Sequence, residues 1–304
     1  MTIRLVVATR KSLLALTQTR AFVASLVERH PGLVVEELLV TTTGDLIQHV
    51  PLNEVGGKGL FVKEIEQALL DGRADFAVHS MKDVPAELAR GLSIACVPSR
   101  EDPRDALVTR TGVGFAELPA GATVGSSSLR RTAQLRALRP DLAWSMLRGN
   151  VDTRIRRCHE GAVDAVVLAM AGLNRLGWAS RVTEAIPVDR CLPAVGQGAL
   201  AIECRTEDAQ TKEILGAVAD PESSRCVMVE RGVQLAIGGG CHVPLAAYAE
   251  RRGSEIWVRA LLEGATGEIW RRERIAPWPT DDVSALALGG EMGRELLEAS
   301  TKAV

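Results

Sequence analysis

The stretch GRADFAVHSMKDVP, from Gly72 to Pro85, decides the fold. Gly72 closes a helical pattern, because the position after a last helical turn favours a left-handed residue. Asp75–His79 then reads as a buried strand, and Pro85 prevents simple continuation. Lys82 and Asp83 are adjacent charges at the C-terminal end of that strand, where open α/β sheets bind ligands. The same grammar returns in GAVDAVVLAM, from Gly161 to Met170, which aligns without gaps to Gly72–Met81 and matches it at Gly, Asp, Val and Met. Two related lobes are implied.

Around this pair, strands and helices alternate. Ile3–Ala8 reads as a strand, and Ser12 caps a helix with Leu16, Val23 and Val27 on its inner face. Leu33–Val40 is a second strand. Asp45–Gly59 is polar and Gly-rich and reads as a loop. Leu60–Leu70 follows as a helix burying Phe61, Ile65, Ala68 and Leu69. Farther on, a strand ending at Thr123–Gly125 meets Ser126–Ser128 and a helix over Leu129–Leu138. A strand near Trp144–Leu147, another helix and a strand at Ala165–Ala169 complete the second series. This alternation predicts an α/β fold with mainly parallel pairing. The last third differs. A helix over Glu222–Leu235 and a Gly-rich loop at Ile237–Val243 precede three alternating segments, Pro244–Glu250, Glu255–Leu262 and Glu268–Ile275, which read as a meander. A final helix covers Asp282–Ala299. This is a separate α+β domain, with its boundary near Asp220-Pro221.

The 304 residues suggest two or three domains. With 46% hydrophobic and 24% charged residues, wholesale disorder is excluded. The longest uncharged apolar stretch, near Ala165–Leu173, falls short of the ~20 residues a membrane helix needs. The N-terminus carries no signal core, so a cytoplasmic protein is expected. A formal charge of −2 and few aromatic residues argue against nucleic acid as a partner. The cations are lopsided, with 30 Arg among the 36 basic residues. Arginine suits planar, bidentate recognition of carboxylate or phosphate. The cysteines, Cys96, Cys158, Cys191, Cys204, Cys226 and Cys241, include no C-x-x-C pair, so free thiols and no metal are expected.

Several strand-to-helix turns carry anion-binding chemistry. VGSSSLRR (Val124–Arg131) places hydroxyls and free backbone N–H groups at a helix start, with two arginines one turn in. LRGNVDTR (Leu147–Arg154) and VVATRKS (Val6–Ser12) repeat the arrangement. If these turns converge, their ligand carries many carboxylates. GGGCHVP (Gly238–Pro244) puts Cys241 in a loop of unusual conformational freedom, accessible for thiolate chemistry. There is no P-loop, no dinucleotide fingerprint and no G-x-S-x-G elbow.

In series with VATRKSLLALTQ (Val7–Gln18), VGGKGLFVKEIEQALL (Val55–Leu70) and LPAVGQGALAIECR (Leu192–Arg205), these segments resemble the porphobilinogen deaminase family over nearly the whole chain. The resemblance implies an α/β fold of two periplasmic-binding-protein-like lobes plus a small α+β C-terminal domain with a three-stranded antiparallel sheet. It implies a discontinuous domain 1 (1–98 and 195–219), a domain 2 (99–194) and a domain 3 (220–304) carrying the cofactor cysteine. The implied reaction joins four porphobilinogen molecules head-to-tail with loss of ammonia, giving the linear tetrapyrrole hydroxymethylbilane. The implied cofactor is dipyrromethane, made from substrate and held by a thioether to Cys241.

Asp83 matches the family's catalytic carboxylate. Loss of ammonia leaves an azafulvenium, whose positive charge a fixed carboxylate beside the pyrrole N–H stabilises. By resemblance Lys82, Asp83, Ser128, Arg130 and Arg131 bind the cofactor. Arg10, Ser12, Arg148, Arg154, Arg175 and Gln197 bind substrate. Glu54, Asp152 and His242 depart from the family pattern. A monomer is implied, with no nucleic acid, membrane or metal partner. Two rival readings are a non-catalytic two-lobed polycarboxylate-binding protein and a phosphate-handling transferase.

Overall fold

The computed structural model describes residues 3–46, 59–238, 243–264 and 266–301. These form two compact units. One holds residues 3–46, 59–100 and 199–224; the other holds 101–198 and the described residues from 225 onward.

The first unit is built on β1 (Ile3–Arg10), α1 (Leu13–Arg29), β2 (Leu33–Val40), the short α2 (Thr43–Leu46), α3 (Lys63–Leu70), β3 (Phe76–Ser80), and β4 (Leu92–Cys96). The second contributes β5 (Asp105–Thr109), β6 (Thr123–Gly125), α4 (Leu129–Leu138), β7 (Ala143–Ser145), α5 (Val151–His159), β8 (Ala165–Ala169), α6 (Met170–Arg175), and β9 (Glu184–Ile186). The chain then supplies β10 (Leu200–Arg205) and α7 (Ala209–Gly216) to the first unit, followed by α8 (Pro221–Ile237). The meander β11 (Leu245–Arg252), β12 (Glu255–Glu263), β13 (Ile269–Pro277) and the helix α9 (Asp282–Thr301) end the described chain.

The first sheet runs β2-β1-β3-β10-β4 and the second β7-β6-β8-β5-β9. Their pairing is the same. β1 lies parallel to β2 and β3, and β10 lies antiparallel between β3 and β4. β6 lies parallel to β7 and β8, and β5 lies antiparallel between β8 and β9. These are the two periplasmic-binding-protein-like lobes expected from the sequence. The expectation of mainly parallel pairing is corrected, because an antiparallel strand enters each sheet between two strands that are not its chain neighbours, β10 from beyond the second lobe and β5 from the start of its own lobe. Reading successive β–α–β units sees only chain neighbours and misses such an insertion.

Strand alternation gives each sheet two apolar faces. In the first lobe Leu5, Val7, Phe76 and Ile202 meet Phe22 and Leu26 of α1 on one face. Ala8 and Ala77 meet Ile65 and Leu69 of α3 on the other. The inner stripe of α1 is therefore centred on Phe22 and Leu26, one position away from the expected Val23 and Val27, and Val27 is exposed. In the second lobe Val124, Val167 and Leu135 share one core, and Val166, Leu168 and Ile155 the other.

The three-stranded sheet is antiparallel throughout, as expected. It buries Ala247, Ile256 and Val258 against Val229 and Val233 of α8 and Met292 and Leu296 of α9. The two helices touch backbone to backbone, since a methyl group at Gly289 would overlap the Val229 carbonyl. Among the described residues no helix is long and apolar enough to cross a membrane.

Candidate active site

In the first lobe the candidate residues stand at the C-terminal ends of β1 and β3. Arg10 ends β1, and Ser12 caps α1 by accepting from the Ala15 N–H at 3.4 Å. Asp45 accepts from Arg10 through both Nε and Nη2, and the guanidinium stacks 4.4 Å above the Phe61 ring. Burial would raise the Asp45 pKa, but hydrogen bonds from Arg10 and Thr42 outweigh it and hold the carboxyl below its ordinary range. The Arg10 head is thereby fixed in one orientation. Asp45 itself was expected only as the start of a loop.

β3 runs into a single 3₁₀ turn, Met81–Asp83. The Met81 N–H donates to the Ala199 carbonyl at 3.0 Å, anchoring the turn beside β10. Met81 is buried, whereas Lys82 and Asp83 are half-buried. Among the described residues the Asp83 carboxylate takes no hydrogen bond or ion pair. Behind the turn, His79 and Glu203 lie buried side by side, with His79 Nε2 3.1 Å from Glu203 Oε2.

In the second lobe Ser128 caps α4, accepting from the Arg131 N–H, while Ser126 Oγ accepts from the Ser128 N–H at 3.1 Å. Arg130 and Arg131 turn inward. Both are almost fully buried, and both bind Asp105, which has no exposed surface. Burial would raise the Asp105 pKa, yet the charges of Arg130 and Arg131 prevail and hold it far below the usual carboxylate range. Gln197, expected to face substrate, is also fully buried and donates to Asp105 Oδ1 at 3.0 Å and to the Pro103 carbonyl at 2.7 Å. Arg130 Nε is buried without a hydrogen-bond partner among the described residues. Arg131 faces Asp105 Oδ1 with both Nε and Nη2, each at 2.8 Å, and donates from Nη1 to the Val167 carbonyl, which leaves only the outer N–H groups of its two Nη atoms.

Arg148 and Arg154 flank the next turn. Gly149 sits there at φ 116°, a value side-chain-bearing residues rarely adopt. Arg154 Nε donates to the Gly149 carbonyl at 2.7 Å. Arg148 Nη1 is buried and has no partner among the described residues. Arg175 Nη2 donates to the Gly198 carbonyl at 2.6 Å, and burial lowers its pKa. Asp152 is exposed in the first turn of α5, where a negative charge complements the helix dipole. Cys241, His242 and Glu54 lie outside the described residues. The other five cysteines are buried. Burial pushes the Cys96 thiol up to about 12 and the Cys204 thiol to about 11, which makes them poor nucleophiles.

This donor set suits a ligand rich in carboxylates. Buried guanidinium N–H groups without partners at Arg130 and Arg148 are costly unless an acceptor meets them. The half-buried Asp83 carboxylate can accept from a ligand N–H donor. Sequence reading missed Asp105 and Gln197's true setting. The signal was a charged residue opening the apolar run Ala106-Leu107-Val108.

The fold defines a two-lobed α/β protein of periplasmic-binding-protein type with an added α+β segment. Known families narrow this further. The family model "Porphobilinogen deaminase, dipyromethane cofactor binding domain" matches residues 5–213, and "Porphobilinogen deaminase, C-terminal domain" matches residues 224–298. A porphobilinogen deaminase of Sorangium cellulosum is 56% identical over 96% of this chain and 98% of its own length. One from Syntrophus aciditrophicus is 49% identical over 96% and 94%. Among solved structures, the Bordetella pertussis BvgS periplasmic VFT2 domain aligns at 20% identity and a TM-score of 0.41, over 71% of this chain and 86% of that one. That likeness is too loose to add to the strand order. The chain belongs to the porphobilinogen deaminase family. It is an enzyme, a transferase of porphyrin and heme biosynthesis, and its cofactor is dipyrromethane.

Proposed function

We propose that the enzyme joins four porphobilinogen molecules head-to-tail, releasing one ammonia at each addition, to give the linear tetrapyrrole hydroxymethylbilane. The cofactor is assembled from substrate and attached through a thioether to Cys241. When bound, it supplies the pyrrole carbon onto which the first substrate is joined. The chain's own residues do the rest.

Asp83 sits beside the pyrrole N–H of the reacting unit and stabilises the positive charge that develops as ammonia departs. It also takes part in proton movement when the new ring loses its α-proton. Lys82, Ser128, Arg130 and Arg131 hold cofactor carboxylates, Arg130 through its unpartnered Nε and Arg131 through the N–H groups it does not spend within the lobe. Arg10, Ser12, Arg148, Arg154 and Arg175 hold the acetate and propionate groups of incoming substrate. Gln197 serves that set from within the protein. We propose the domain division 1–98 with 195–219, 99–194, and 220–304, and a cytoplasmic monomer.

The observation that carries this reading is the Asp83 carboxylate at the end of β3, which takes no partner among the described residues, together with buried N–H groups of Arg130 and Arg148 that have none among them either. Its test is stoichiometry with mass. Purified protein incubated with porphobilinogen should release ammonia as a linear tetrapyrrole accumulates. Denatured wild type should weigh more than its sequence by two linked pyrroles, mapped to the Cys241 peptide. Cys241→Ser should lack that mass, and Cys96→Ser and Cys204→Ser should keep it. Binding without ammonia release would leave the polycarboxylate-binding reading instead.

A further inference from the structure

Arg130 and Arg131 are consecutive on α4, and consecutive helical side chains project about 100° apart. The helix alone cannot bring both guanidinium heads to one place, and two buried cations repel. Asp105 resolves this. It opens β5, on the antiparallel strand inserted into the second sheet, opposite Ala169 on β8. Its Oδ2 accepts from Arg130 Nη1 at 2.7 Å and its Oδ1 from Arg130 Nη2 at 3.1 Å. Oδ1 also accepts from Arg131 Nε at 2.8 Å and from Gln197 Nε2 at 3.0 Å. The Cys191 thiol donates to Oδ2 at 3.3 Å. One carboxylate thus gathers donors from α4 and from the segment before β10.

The two arginines come out unequal. Arg130 gives its remaining Nη capacity to the Leu192 carbonyl and Gln197 Oε1. Arg131 is pinned on two sides, at Nε and Nη2 by Asp105 Oδ1 and at Nη1 by the Val167 carbonyl, and keeps the outer N–H groups of its two Nη atoms in a fixed plane. A guanidinium held this way presents a ready fork to a carboxylate, with its rotamer entropy already spent. We propose that Asp105 is the positioning residue of the cofactor clamp: it orients Arg131, with Arg130 and Gln197 as its braces, so that a cofactor carboxylate is met by a preformed fork. This rests on the reading that Arg131 takes a cofactor carboxylate. Asp105 itself touches no ligand.

The test uses the full chain carrying Asp105→Asn, Asp105→Ala or Arg131→Gln. Each is followed by thermal unfolding, near-ultraviolet circular dichroism, and intact mass after timed incubation with porphobilinogen. Asp105→Asn keeps the volume but removes the charge and one acceptor. We expect it to unfold cooperatively while loading covalent dipyrromethane at least tenfold more slowly. In Asp105→Ala, added formate should occupy the vacated carboxylate position and restore loading. Formate should give no such rescue in Asp105→Asn, where the site is filled. Loading of Asp105→Asn at the wild-type rate would overturn the proposal. So would formate that restores stability without loading, or variants that fail to fold even in formate, since Asp105 would then serve the fold alone. Normal loading by Arg131→Gln would instead sink the underlying reading of the clamp. Impaired Arg131→Gln beside normal Asp105→Asn would remove only the positioning role.

Discussion

The two lobes are one frame carrying two chemistries. Asp75 exchanges hydrogen bonds with the backbone of Val6, and Asp164 does the same with Thr123, each at 2.8–2.9 Å. Gly72 and Gly161 both turn at positive φ just before. The Met81 N–H donates to the Ala199 carbonyl, and the Met170 N–H to the Arg104 carbonyl, both at 3.0 Å. Ser12 and Ser128 each cap the first helix of their lobe. Past the shared methionine the lobes part. The first continues Lys82-Asp83 in a 3₁₀ turn, and the second continues Ala171-Gly172 into α6. The basic residues also divide, standing before the serine cap in the first lobe (Arg10, Lys11) and after it in the second (Arg130, Arg131). On the proposed reading, one copy of this scaffold keeps the carboxylate that acts on substrate, while the other carries the paired arginines that hold anions.

The largest effect is expected where the copies differ most. Asp83→Asn should lower turnover at least about a hundredfold, as the loss of a preorganised electrostatic partner does, with unfolding unchanged. Arg148→Gln should come next, raising KM for porphobilinogen about tenfold or more with a smaller change in kcat, read from initial rates. Where the copies agree, effects should match. Asp75→Ala and Asp164→Ala should each lose about 1–2 kcal/mol of stability by denaturant unfolding, and a large inequality would break the equivalence of the frames.

The pH response separates the lobes again. Asp105 has a native pKa below its unfolded value, so its stabilisation is complete above about pH 4 and is lost as pH falls through the native value. Asp105→Asn should therefore flatten the fall of the unfolding midpoint below about pH 4. Glu66, in the first lobe, has the opposite sign. Burial, and then the charge of Glu203, raise its pKa, so its ionisation opposes folding as pH rises through that value. Glu66→Gln should leave neutral-pH stability unchanged or slightly higher, the smallest effect of the set.

Much of this frame was legible because local patterns report local structure. β2, α4 and β8 fall at the expected residues, and the echo between Gly72–Met81 and Gly161–Met170 marks strands in equivalent places. What was not legible came from far away in the chain. β10 carries Glu203 inside an apolar strand because His79, 124 residues distant, lies against it. β5 opens with a buried Asp105 whose partners, Arg130 and Arg131, lie on α4. A charge in an apolar run reads as exposed until its counter-charge is known. The site motifs were found because they are contiguous, whereas the burial of Gln197 depends on tertiary packing.

The claim that the first lobe keeps the reacting carboxylate is tested most directly by a single turnover. Asp83→Asn, shown by intact mass to carry its covalent dipyrromethane, is mixed with one equivalent of porphobilinogen and the release of ammonia is timed. The account predicts a loaded, folded enzyme that releases ammonia at least about a hundredfold more slowly than wild type. Release at the wild-type rate would contradict it and place the decisive charge elsewhere.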